Sequence, residues 1–388
     1  MCRLLILAAC VLIASLACSG GGGDGDGDAP ADLPLLFTAM GLDGRLEIFA
    51  ADATTAEITN LTRHPDHDFY PVRSPDGSKI AFYSARDNEP AGLAFADLYV
   101  MDSDGSNPHL VAEIEQLASQ HERVTSWDPD GSRLLYKALH GSELVIAHIN
   151  GAVEHPPAGG FLPAWAPDGR IMYVARASED SIALAVWAED LDTLEREQLF
   201  IYLPSDHGSE VECEPRDTPQ PSQEVETFFA PEALLFGNSY VRPVGIRAHA
   251  ETGEVLYVRR VCFHGEIAVR SRDYAEERVL ADSRSSKPDA RWSPDGSQIA
   301  YVDWTPGEPP AVRVVDADGS GDTLIAEDAA QPRWSPDGTQ IAFVGTMNPG
   351  AYTPDDVAIY VANTDGSDRQ LLVEGMGTIG DVEWSPVQ

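Results

Sequence analysis

Apolar residues run unbroken for several positions and then stop at a turn, again and again along the chain. Ile341-Ala-Phe-Val344 is one such run. A sheet with one wet face alternates apolar and polar residues, so a run apolar on both sides reads as a strand buried between two sheets. The turn ahead of each run is Pro-Asp-Gly. Pro presets the first turn dihedral and Gly takes a positive φ, so the triplet closes a hairpin. A Trp ahead of the turn offers a large flat surface for sheet-to-sheet packing.

The unit repeats. Arg73-Ser-Pro-Asp76-Gly77-Ser-Lys-Ile-Ala-Phe82 returns as Trp127-Asp-Pro-Asp-Gly131 and Trp165-Ala-Pro-Asp-Gly169. It returns again as Trp292-Ser-Pro-Asp-Gly296 and Trp334-Ser-Pro-Asp-Gly338, each with its apolar run. A worn copy is His249-Ala-Glu-Thr-Gly253, and a cut-off copy is Trp384-Ser-Pro386. Second hairpins follow, at Asp102-Ser-Asp-Gly-Ser106, Asp316-Ala-Asp-Gly-Ser320 and Asn363-Thr-Asp-Gly-Ser367, then a short last strand such as Gln370-Leu-Leu-Val373. Four strands in roughly 40 residues make a propeller blade.

The ends complete one another. Trp384-Ser-Pro386 supplies a first strand with no successor. Leu35–Ala39, Leu46–Ala50 and Glu57–Leu61 supply second, third and fourth strands with no predecessor. Joining them closes a ring and removes free sheet edges. Counting starts at Arg73, Trp127, Trp165, His249, Trp292, Trp334 and Trp384 predicts an all-β, seven-bladed propeller, with six or eight blades as alternatives.

Motif glycines are spaced by 54, 38, 84, 43 and 42 residues. The step of 84 holds an acidic, Pro-rich stretch, 201–243. Within it Phe228–Phe236 faintly echoes the motif, so a degraded eighth blade is one reading. Only about half a blade separates that echo from the next start, which favours a loop or hairpin insertion.

Charge narrows the function. Lys and Arg number 26 against 63 Asp and Glu, a formal charge of −37 over 388 residues. A polyanion of that size is repelled by phosphate backbones, so no nucleic-acid partner is expected. Turn aspartates in every blade account for much of the acidity and aid solubility. The sharper reading is a partner with a basic face. A monomer is expected.

The N-terminus reads as an export signal, 1–17: Arg3, an apolar run from Leu4 to Leu16, then small residues before Cys18. Gly and Asp dominate 18–32, which predicts a solvated tether ahead of the ring at 33–388. A signal ending at a cysteine and followed by such a tether resembles that of bacterial lipoproteins. The resemblance implies that Cys18 carries acyl chains, although the family prefers Leu three positions ahead, where Ser15 stands. Ser19 in place of Asp implies the outer membrane in a Gram-negative cell. Cys213 and Cys262 then remain, and two cysteines in an exported chain read as one disulfide. Such a bridge would pin the insertion, contributing about 3–4 kcal/mol by loop closure. Buried free thiols are the other reading.

The Trp-Ser-Pro-Asp-Gly-x-x-Ile-Ala-Phe repeats resemble those of the TolB-type propeller, a relative of the WD40-type repeat, from about Leu33 to Pro386. TolB itself carries an α/β domain ahead of a six-bladed ring. The resemblance implies a protein-binding platform at the cell envelope. Related propellers include lyases with a metal among channel histidines, so a metal-dependent enzyme or a carbohydrate-binding propeller is the alternative. The Asp-x-Asp-Gly-Ser segments lack the closing Glu of a calcium loop and read as turns. His64, His67 and Asp68 are candidate metal ligands, close together in a loop entering a first strand; a solvated loop is the plainer reading. No Gly-x-Ser-x-Gly elbow occurs, which argues against a serine hydrolase. No cofactor and no catalytic residue are assigned.

Overall fold

Each Pro-Asp-Gly turn is tied by its own side chains. In the computed structural model, Gly77 N–H donates to the Ser74 carbonyl (2.9 Å) with φ of 73°. The Ser74 hydroxyl donates to Asp76 Oδ1 at 2.6 Å, and Ser78 N–H donates to the same oxygen at 3.0 Å. The pattern repeats at Ser293–Ser297 and Ser335–Thr339. Burial opposes ionisation of Asp76, Asp295 and Asp337, yet these hydrogen bonds outweigh it and hold each carboxyl below its usual range. The Asp-x-Asp-Gly-Ser segments are also turns, with Gly105, Gly319 and Gly366 at φ of 85°, 90° and 80°.

The structure describes residues 34–41, 43–87, 96–114, 125–137, 143–157, 159–178, 184–203, 246–261, 264–281, 289–304, 308–347 and 356–384. The leader, Cys18, the tether, Cys213, Cys262 and the Phe228–Phe236 echo lie outside them. Among the described residues stand seven four-stranded antiparallel sheets. Their first strands are Asp68–Arg73, Ser126–Trp127, Phe161–Trp165, Arg247–Ala248, Arg291–Trp292, Ala329–Trp334 and Ile379–Glu383, and these start blades one to seven. First strands touch between blades two and three, three and four, six and seven, and seven and one, which places them at the inside of the ring. The strand Arg196–Leu203 closes blade three, and residues 204–245 of the expected insertion lie outside the described residues.

Blade seven is built from both ends of the chain. Ile379–Glu383 pairs antiparallel with Leu35–Met40, with Leu36 opposite Glu383 and Ala39 opposite Ile379. Leu46–Ala51 and Ile58–Asn60 complete the sheet. Trp384 and Phe37 share one buried cluster.

The motif tryptophans join blades as well as filling space. Trp334 is 1% exposed. Its Nε1–H donates to the Arg291 carbonyl of blade five at 3.2 Å. Trp127, Trp165 and Trp292 likewise donate to the carbonyls of Val72, Ser126 and Arg247 in the blade before. Arg73 stands in the Trp place, as expected, and joins blades in the same way, its Nη2–H donating to the Pro34 carbonyl of blade seven at 2.7 Å.

The worn copy is one residue out of the expected register. Ala248 pairs with Val255 as Trp292 pairs with Ile299, so Ala248 holds the Trp place and His249 the Ser place. His249 N–H donates to Glu254, the equivalent of Ser293 to Gln298. The glycine stands one residue later in a connection of the same length, which counting back from the glycine could not reveal. The His249 ring then packs edge-on to Trp292 and against Gly296. Gly338 meets Pro294 at the corresponding junction.

Candidate functional site

In five blades the residue three before the Trp place is described, and there the backbone turns left-handed. Tyr70, Leu162, Asp289, Gln331 and Asp381 all have φ between 51° and 56°. Pairing slips there, between Phe69 and Val72, Phe161 and Ala164, and Ala330 and Arg333. These are β-bulges, which re-aim the side chains beside them. Asp adopts this backbone more readily than most residues, which suits Asp289 and Asp381.

Two residues later comes the position just before the Trp place. Around the ring it reads Val72, Ser126, Ala164, Arg247, Arg291, Arg333 and Glu383. Blades one to three are uncharged there, and blades four to seven are all charged. Asp289 lies between two of the arginines. Its Oδ1 accepts from Arg291 Nε at 3.0 Å and its Oδ2 from Arg333 Nη1 at 2.8 Å. Arg333 Nε lies 3.6 Å from Glu383 Oε2, an ion pair without a hydrogen bond. One guanidinium therefore spans blades five, six and seven. Arg73 approaches Glu383 from blade one; its side chain is fully buried, and Nε and Nη1 lack acceptors among the described residues.

Arg247 differs from Arg291 and Arg333 in its ion pairing. Its Nε is buried without an acceptor, and no ion pair to it occurs among the described residues. Burial, with repulsion from Arg291 next, pulls this guanidinium down to about 9; Asp289 acts the other way. It stays cationic at neutral pH. Arg73 is pulled down to about 10 by burial, opposed by Glu383. Burial opposes the charge on Asp289 too, but Arg333 and Arg291 outweigh it and hold the carboxyl far below its usual range. Burial works against Arg333 as well, and Asp289 and Glu383 keep it above its ordinary value. Three arginines face two carboxylates along this arc, a local excess of one positive charge inside a strongly acidic protein.

The loop candidates are engaged separately. His67 Nδ1 accepts from Leu46 N–H at 3.0 Å, and burial, then Arg45, lowers its pKa, so the ring is neutral at pH 7. Asp68 is buried against Arg86 Nη2 at 3.2 Å. His64 Nδ1 lies 3.5 Å from Asp66 Oδ2. Among the described residues, no three His, Cys, Asp or Glu side chains group as ligands for a metal ion. Asp76, Gly77, Gly131, Gly169, Gly296 and Gly338 build turns, and the tryptophans build blade junctions. The axial arc was not expected from the sequence. The signal was present: Arg precedes the Trp place in three successive copies, at 247, 291 and 333.

No family model matches the chain. Solved structures resemble its fold. TolB from Acinetobacter baumannii aligns over 92% of this chain and 68% of its own, at 14% identity and a TM-score of 0.53. An oligogalacturonate lyase in complex with manganese aligns over 87% and 84%, at 15% identity and 0.52. A prolyl endopeptidase aligns over 90% of this chain but 49% of its own, at 12% identity and 0.56. The likeness is of fold: a propeller of TolB-like blades, an architecture that hosts binding proteins and enzymes alike.

Proposed function

We propose that this TolB-like propeller is a non-catalytic scaffold of the cell envelope, exported, lipid-anchored at Cys18 and binding a protein partner at its ring. The observation that carries the reading is the axial arc of Arg247, Arg291 and Arg333. Protonated guanidinium groups have no lone pair to act as base or nucleophile. Asp289, clamped by two of them, is too weak a base to take a proton near neutral pH. The chemistry available there is recognition of charge on strands that the closed ring holds rigid.

The test is capture from the native envelope with in-cell crosslinking, comparing wild type with an Arg291→Gln/Arg333→Gln double variant whose fold is checked by circular dichroism. The scaffold reading expects a stoichiometric protein partner that the double variant loses. Capture of no partner, or a divalent metal co-purifying at one per chain, would turn the reading towards a channel-sited enzyme. Metabolic labelling with a fatty acid, expected in wild type and absent from Cys18→Ser, tests the anchor.

A further inference from the structure

We infer that the ring axis at blades four and five is a binding site for a single carboxylate, with the Arg247 guanidinium as its main donor and Arg291 beside it. The arc alternates cations and anions across blades, and two guanidiniums in it, Arg73 and Arg247, lack an ion pair among the described residues; Arg73 donates to the Pro34 carbonyl, whereas Arg247 has no acceptor there. Arg291 and Arg333 share Asp289; Arg333 and Arg73 flank Glu383. Arg247 has no carboxylate of its own among the described residues. In sequence, blades five and seven carry Asp289 and Asp381 three residues before the Trp place, whereas Gly245 precedes Ala248 by the same interval.

The Arg247 side chain is half-buried, and its buried Nε–H without an acceptor is costly, since that donor has left water without a replacement. A ligand carboxylate would satisfy it. The net charge selects the valence. Adding Arg73 and Asp381 to the arc gives four arginines against three carboxylates, still an excess of one. A monoanion neutralises that excess, whereas a phosphate dianion overshoots it. The planar fork of a guanidinium also matches the two oxygens of a carboxylate. At −37, the chain as a whole repels polyanions. The ligand is therefore a carboxylate on a small acid, or one at the end of a polypeptide that is otherwise neutral or basic. This goes beyond the scaffold reading and holds for either source.

The experiment is a titration of full-length protein labelled with ¹⁵N-arginine, followed through the Nε–Hε signals at constant ionic strength. The probes are acetate, inorganic phosphate, and two short peptides that differ only in a free or amidated C-terminus. Acetate or the free peptide is expected to shift a few arginine signals saturably. Affinity should fall at least tenfold in Arg247→Gln, partly recover in Arg247→Lys, and stay unchanged in Arg196→Gln, whose guanidinium lies on Trp187 far from the arc. Arg291→Gln is the second variant, and each variant's thermal midpoint checks its fold. A free peptide that binds more tightly than acetate assigns the polypeptide source, and equal binding assigns the small acid. Absence of saturable binding, full binding by Arg247→Gln, or tighter binding of phosphate than of acetate overturns the site. Partner capture that survives Arg247→Gln while acetate binding is lost leaves both readings standing at separate surfaces.

Discussion

Gly296 sits at φ of 69°, and a Cβ there would come within 2.8 Å of the His249 ring. Gly131, at φ of 71°, has no atom closer than 3.7 Å. Gly131→Ala should therefore lose only the backbone preference, about 1 kcal/mol. Gly296→Ala should lose more, by about 1–3 kcal/mol of overpacking. Urea unfolding of the two variants, in wild-type and His249→Ala backgrounds, checks this. The gap should close once the imidazole is gone, and a gap that persists would mean the ring is not the obstacle. Trp334 makes a stronger case: Trp334→Ala should cost about 3–5 kcal/mol through the cavity it leaves. Trp334→Phe should cost less, and chiefly the hydrogen bond to Arg291.

At the scale of the inner strands, Asp289 takes a left-handed backbone conformation just ahead of its strand, and its carboxylate accepts from two arginines. Asp289→Asn removes the shared anion and leaves two half-buried cations facing each other, which should cost about 1–3 kcal/mol. Arg247→Gln removes an unpaired cation and should leave the thermal midpoint at or above wild type. The same pair predicts a pH dependence. The folded pKa of Asp289 lies below its ordinary 3.8. Its contribution is then complete above that value and is lost as pH falls through the depressed folded value. Urea midpoints of wild type and Asp289→Asn should differ most near neutral pH and converge in strong acid. A constant difference down to about pH 2 would place the effect outside Asp289 ionisation.

At the scale of the molecule, the ring is held shut by pairing between Ile379–Glu383 and Leu35–Met40. Truncation before Ile379 would expose a paired edge and the apolar cluster around Phe37, which invites edge-to-edge association. The expected outcome is a broadened, lower thermal transition and oligomers in light scattering; a sharp transition at the wild-type midpoint would show that closure adds little. The acidity acts at this scale too. Self-repulsion across 63 acidic residues is screened by salt, so stability should rise between low and physiological ionic strength.

Turns, strand runs and blade junctions were legible in the sequence because each is a contact between near neighbours. Pro-Asp-Gly closes on itself, a run apolar on both faces must be sandwiched, and leftover strands at the two ends imply a shared blade. The register at His249 was less legible, because the glycine stands one residue later in a connection of the same length. The axial arc was not legible as a site. Arg247, Asp289, Arg333, Glu383 and Arg73 are separated by tens to hundreds of positions, and each is an ordinary surface-type residue alone. Closing the ring brings them within reach of one another and out of bulk water, and desolvation at the axis turns scattered charges into a site with one cation to spare.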